Sequence, residues 1–139
     1  IHVLEHTPEP VDLLKLCYKL VKPGGVLLVE VPNVLDELLE HIIEYKNFNY
    51  QRAHYSYFDP SRLDLCIRKA GINDFSIDGL QRYGLKNTLF WVNNRKPDLK
   101  STNLRESDPI LAHIERLYCL DKERSFTCDT IIAQMNKNV

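Results

Sequence analysis

Ile1-His2-Val3-Leu4-Glu5-His6 and Val26-Leu27-Leu28-Val29-Glu30-Val31-Pro32-Asn33 bracket the stretch on which the fold turns. Ile1 to Leu4 has the composition of the end of a buried strand. Thr7-Pro8-Glu9-Pro10 is a turn whose prolines suit the approach to a helix and its first turn. From Val11 to Val21, Leu13, Leu14, Cys17, Leu20 and Val21 fall on one helical face, with Lys15, Lys19 and Lys22 turned away. Pro23-Gly24-Gly25 stops that helix. Val26 to Val29 is an unbroken apolar run too short for a helix, which predicts a strand covered on both faces. Strand, helix and strand together form a right-handed crossover between parallel neighbours.

Open α/β sheets bind ligands beyond the carboxyl ends of their strands. His2, Glu5 and His6 are expected past the first strand, and Pro32 and Asn33 past the second. The unit starts with no room before Ile1 for the strand it continues, so the chain reads as the second half of a larger sheet.

Downstream, Val34 to Lys46 carries Leu35, Leu38, Leu39, Ile42 and Ile43 against Asp36, Glu37, Glu40 and Glu44, the pattern of an amphipathic helix. Asn47 to Phe58 is aromatic and aperiodic, suiting either a pocket lid or a satellite cluster beneath a loop. Asp59-Pro60-Ser61 is a strong helix start, with Asp as N-cap and Pro at the first helical position. Leu63, Cys66, Ile67 and Ala70 give that helix its buried face, and Gly71 ends it. Phe75 to Tyr83 predicts a strand. Leu85 to Val92 either extends it or forms a separate element. Asn93 to Asp108 is a polar loop, Pro109 to Leu120 a helix bearing Ile110, Leu111, Ile114, Leu117 and Tyr118, and Cys128 to Met135 a closing strand.

With 139 residues, 44% apolar and 27% charged, the chain suits one globular domain. A net charge of −1 gives nothing at whole-chain level to draw it to nucleic acid or to an anionic membrane. The loose basic stretch Arg95, Lys96, Lys100 and Arg105 has no interleaved aromatics and reads as a solvated loop. Cys17, Cys66, Cys119 and Cys128 form no C-x-x-C pair, which predicts a reduced, cytoplasmic protein.

The series His2-Val3-Leu4-Glu5-His6, Lys22-Pro23-Gly24-Gly25-Val26-Leu27-Leu28-Val29, Val31-Pro32-Asn33, His54 with Tyr57-Phe58, and Ala70-Gly71 resembles class I S-adenosylmethionine-dependent methyltransferases. The likeness is to the small-molecule group that reads V-L-E-H, L-K-P-G-G, V-P-N and H-x-x-Y-F in this order, and it covers roughly residues 1 to 75. Further on, Gln81-Arg82-Tyr83-Gly84-Leu85-Lys86-Asn87 with Trp91, and Asp129-Thr130-Ile131-Ile132-Ala133, resemble the tail of some such enzymes.

The resemblance implies a partial Rossmann-like α/β fold. This chain would hold about the last four strands of a seven-stranded, mostly parallel sheet, with the last strand antiparallel. Residues 1–139 would be the C-terminal part of one methyltransferase domain, with an insertion at about 93–126. It also implies S-adenosylmethionine as cofactor, approached by His2, Leu4 and Glu5, and a small-molecule acceptor. His6 and His54 become the general-base candidates, with Tyr57 orienting the acceptor and Asn33, Tyr55 and Arg82 binding it. The sequence departs from the family in having no G-x-G pattern for the cofactor's methionine end. His2, Glu5 and His6 have metal-like spacing but are expected to orient the turn, with no metal bound. The partner expected is a missing N-terminal half or, alternatively, a second copy pairing along the leading strand edge. The competing reading is a non-catalytic remnant or partner subunit.

Overall fold

Strand β1 (Val26–Pro32) is an edge strand of a three-stranded sheet ordered β1-β3-β2, where β2 spans Phe75–Leu80 and β3 spans Thr130–Asn136. These elements belong to a computed structural model that describes residues 1–98 and 108–138. The Gly24 N–H donates to the Lys137 carbonyl at 2.8 Å and the Lys137 N–H to that of Gly25 at 2.9 Å, so β1 begins where β3 ends. The Asn136 N–H likewise donates to the Asp74 carbonyl just before β2. β3 therefore runs antiparallel to both neighbours, and β1 and β2 run parallel to each other. Three strands, not four, appear among the described residues. Ile1 to Leu4 does not form a strand: His2 sits in the left-handed region at φ 49°, and Leu4–His6 is a turn of 3₁₀ helix. What remains of strand pairing there is one bond, from the His2 N–H to the Glu30 carbonyl at 2.9 Å.

The chain divides into two compact units. The first holds residues 1–34, 52–78 and 131–139. In it α1 (Pro10–Leu20) packs on α4 (Pro60–Lys69), and Leu14, Val31, Leu63, Ile67, Ile72, Ile131 and Met135 are fully buried. Asp59 starts α4 as expected, its carboxylate accepting the Arg62 N–H at 2.7 Å, and Gly71 follows its end at φ 81°. The expectation that β1 is covered on both faces fails: Val26 is 50% and Leu28 55% exposed, while Glu30 and Val31 are buried. Cys66 is buried and Cys17 half-buried.

The second unit holds residues 35–51 and 79–130. The helix expected over 34–46 is split into α2 (Glu37–His41) and α3 (Ile43–Asn49) at Ile42, whose backbone is extended. Asp36 secures the split arrangement. Its carboxylate caps α2 at the Leu38 N–H and accepts the Tyr45 hydroxyl at 2.6 Å. Leu38, Ile42, Tyr45 and Trp91 then form a buried cluster, with Tyr45 and Trp91 edge to face.

Leu85–Asn94 is a separate helix, α5, and not an extension of β2. Gly84 precedes it, and the buried Glu115 carboxylate accepts the Leu85 N–H at 3.0 Å, supplying a cap from thirty residues away. A side chain at Gly84 would fall on that carboxylate. Glu115 lies on α6 (Pro109–Ser125), whose orientation is unexpected. The apolar positions Ile110 (70% exposed), Leu111, Ile114 and Leu117 face outward, and Glu115, Cys119 and Lys122 face inward. Partners explain the inversion: Glu115 caps α5, and Lys122 pairs with Glu37 and lies over the Tyr118 ring. The polar stretch expected over 93–108 falls largely outside the described residues, including Lys100 and Arg105; Arg95 closes α5 in the left-handed conformation. No helix among the described residues is long and apolar enough to cross a membrane.

Burial pushes the Asp36 carboxyl up from 3.8 to about 6, against the opposing hydrogen bonds from Tyr45 and Leu38. A carboxyl whose folded pKa lies above its unfolded value stabilises the fold below the unfolded pKa and loses that contribution as pH rises through the folded one. The second unit is thus expected to lose stability between about pH 4 and pH 6, by roughly 3 kcal/mol from this group. Urea unfolding at pH 4, 5, 6 and 7 checks it: Asp36→Asn should flatten the fall, and an unchanged profile in the variant refutes it.

Candidate functional site

The site lies at the chain's first turn, within the first unit. Glu5 is 2% exposed, and its backbone carbonyl accepts the Tyr55 N–H at 2.8 Å and the Ser56 N–H at 3.2 Å. This pins the aromatic segment 52–58 against the Leu4–His6 turn. The same segment joins the end of β1 through a parallel bridge between Asn33 and Phe58, with the Val34 N–H donating to the Phe58 carbonyl.

Three imidazoles surround the Glu5 carboxylate. His2 Nδ1 lies 3.3 Å from Glu5 Oε1, and its Nε2 lies 3.2 Å from Oε1 of Glu30, a second buried carboxylate. Bridging both acids holds His2 in its left-handed backbone, a conformation that costs free energy in a residue other than glycine. His6 Nε2 is 3.9 Å from Glu5 Oε1, and its Nδ1 donates to the Ala53 carbonyl at 3.0 Å in the tautomer that contact selects. The His54 ring stands edge-on to His6, with centroids 4.7 Å apart, and 5.5 Å from the Tyr57 ring. Two buried atoms here have no hydrogen-bond partner: Glu5 Oε2 and His54 Nδ1. Buried polar atoms are rarely left so, which singles out this turn among the described residues.

Burial lowers the His54 pKa from its ordinary 6.5, and the neighbouring His6 lowers it further, outweighing the pull of Glu5. His54 is therefore a neutral imidazole near neutral pH, with a nitrogen able to accept a proton. Glu5, His6 and His54 each offer a donor atom within 4.8 Å of the others, a spacing a divalent ion can bridge. The three suggested by spacing in the sequence are not this set: His54 stands in the place expected of His2.

Among the residues expected at the site, His2, Glu5, His6, His54 and Tyr57 are brought together. Leu4 is buried as core, and Asn33 is buried where it bridges Phe58, so neither presents an open side chain. Tyr55 contributes its backbone while its ring is 70% exposed. Arg82 belongs to the second unit, where its N–H and that of Tyr83 donate to the buried Asp129, whose own N–H donates to Gln81. The Gln81–Tyr83 and Asp129 pieces thus have a structural reason to occur together. Glu30 is the participant that sequence reasoning missed; its signal is a lone charge inside the apolar run Val26 to Val31.

The Methyltransferase domain family matches residues 1–77, more than half of the chain. The chain belongs to that family. It is 31% identical over 87 residues to the ubiquinone biosynthesis O-methyltransferase of Idiomarina loihiensis, a match covering 58% of this chain and 35% of that protein. Among solved structures it resembles a SAM-dependent methyltransferase from Archaeoglobus fulgidus, with TM-score 0.54 and 19% identity over 98% of this chain and 56% of the other. It also resembles phosphoethanolamine N-methyltransferase 2 of Haemonchus contortus in complex with S-adenosyl-L-methionine, with TM-score 0.53 and 18% identity over 99% and 32%. At these identities the likeness is one of fold. The chain spans 35% of its curated relative, 56% of the first of these structures and 32% of the second.

The geometry predicts that His54 titrates below 6.5 and that His6→Ala moves it upward, by removing a like charge and admitting water. A histidine-ring NMR titration reads both; an unmoved His54 in the variant would show that His6 does not act on it.

Proposed function

We propose that this protein is the C-terminal part of a single methyltransferase domain that transfers a methyl group from S-adenosylmethionine to a small-molecule acceptor. The observation that carries the reading is the neutral His54 imidazole, with an unpartnered nitrogen, beside the buried Glu5 carboxylate. Family membership and the β1-β3-β2 order support it, and these strands are proposed to belong to the last part of a seven-stranded, mostly parallel sheet. Residues 93–126 are proposed as its insertion.

Bound S-adenosylmethionine supplies a methyl group already activated by a sulfonium. This chain's residues do not fit that cofactor by themselves. Its five glycines are Gly24, Gly25, Gly71, Gly79 and Gly84, and none stands at the His2–His6 turn, where backbone must come close to a ligand. His2, Leu4 and Glu5 offer one wall at most, and their polar groups are engaged chiefly with one another and with Glu30 and residues 55–56. The glycine-rich wall is proposed to come from a further half that pairs along the leading edge of the chain, Ile1 to Leu4, in the reducing cytoplasm where four cysteines without a disulfide are at home. Pairing of two copies along that edge is the alternative partner.

The part played by this chain's own residues is proton handling and alignment. A hydroxyl or amine of the acceptor loses its proton to the His54 imidazole, Glu5 stabilises the imidazolium that results, and Tyr57 orients the acceptor. Tyr55 remains an acceptor-contact candidate through its exposed ring.

Two measurements test this. Titration calorimetry of the 139-residue chain with S-adenosylmethionine should show no micromolar binding, and such binding would mean that the cradle is complete without a glycine-rich turn. In the protein purified from its source, His54→Ala should lower kcat for labelled-methyl transfer by roughly 10²–10⁴-fold. Full activity in that variant removes His54 as the base.

A further inference from the structure

A groove of about 270 Å³ opens in the first unit, lined by the start of α1, by Ser56 to Phe58 and by one face of α4; Tyr57, which borders it, has its ring 5.5 Å from that of His54. It is small beside a typical ligand cleft. Its α4 wall is a single helical stripe, Arg62, Leu65, Cys66 and Lys69, at spacings of three, four and seven residues. Phe58 and Cys66 are buried and make an apolar floor, with Val11 opposite. The stripe therefore reads cation, apolar, apolar, cation. None of the described residues lining the groove is a carboxylate.

Two of the nearby acids, Asp59 and Asp12, are already paired. Asp59 caps α4 at the Arg62 N–H and pairs with Arg62 Nη1 at 3.0 Å, using part of a guanidinium that carries five N–H donors. Asp12 pairs with Lys15 on α1. Burial pushes the Cys66 thiol up, and Lys69, which lies one turn further along the same stripe, only partly offsets this. Two cations flanking an apolar floor match a small organic anion, since a guanidinium's planar fork suits carboxylate and phosphate oxygens and an ammonium adds a point charge.

We propose that this groove binds the carboxylate or phosphate of a small, largely apolar molecule, with Arg62 and Lys69 taking the anion. This rests on the methyl-transfer reading only in making that molecule the acceptor, because Tyr57 borders both the groove and His54. An acceptor of this class carries its anionic group in the groove and its methylated atom beside His54.

Amide-resolved NMR titration of the 139-residue chain tests it, with benzoate, phenyl phosphate and benzyl alcohol as matched probes. Saturable shifts at Arg62, Cys66 and Lys69 are expected with either anion, at least about tenfold tighter than with the alcohol. The tighter of the two anions distinguishes carboxylate from phosphate. Arg62→Gln with Lys69→Gln should bring anion affinity down to that of the alcohol, and Lys69→Glu, which leaves the Arg62–Asp59 pair in place, should weaken it as well. Equal binding of the alcohol, unchanged anion binding in the double variant, or no saturable shift with either anion overturns the proposal. Methyl transfer does not enter this readout, so anion binding can fail while His54 keeps its role, and the reverse.

Discussion

Glu5 holds two different things with two ends of one residue, and the first unit's ligand-facing end depends on it. Its backbone carbonyl receives the amides of Tyr55 and Ser56, fixing an aperiodic aromatic segment that has no helix or strand to fix it. Its carboxylate faces His2 and His6. A charge this deeply buried is tolerable only with partners, and His2 supplies the first by bridging to Glu30 on β1. The turn, the loop and the strand are thus tied through one acid, and the histidines are gathered as a result of that tie.

The second unit solves a similar problem with different means. Asp36 and Asp129 are both buried, and burial raises both carboxyls above their ordinary range. Each is surrounded by donors from short, irregular pieces of chain: Asp36 by Leu38 and Tyr45, Asp129 by Gln81, Arg82 and Tyr83. Helices of five and seven residues are too short to hold themselves in water. Buried acids that cap and cross-link them take the place of length.

Local signals in the sequence were read where local physics decides the outcome. The periodicity of α1 and the Asp59-Pro60 start of α4 name their elements within a residue or two, the apolar run names where β1 begins, and V-L-E-H with H-x-x-Y-F contains Glu5, His6, His54 and Tyr57, which the fold brings together. Elements decided by distant partners were not legible. Leu85 begins a helix because Glu115 caps it, and no window around Leu85 contains that acid. α6 turns its leucines and isoleucines outward because Glu115 and Lys122 have partners to reach. His2 leaves the extended conformation for two acids, one of them twenty-eight residues on.

Gly84 and Glu115 share one volume, since a side chain at the glycine would stand where the carboxylate stands. That makes the two positions a single evolutionary character. Homologues that place a larger residue at 84 have to shorten or remove the acid at 115 and find another cap for α5, for instance a serine or aspartate at 84 itself. Correlated change between these positions would therefore record a hand-over of the cap from a distant helix to the local chain.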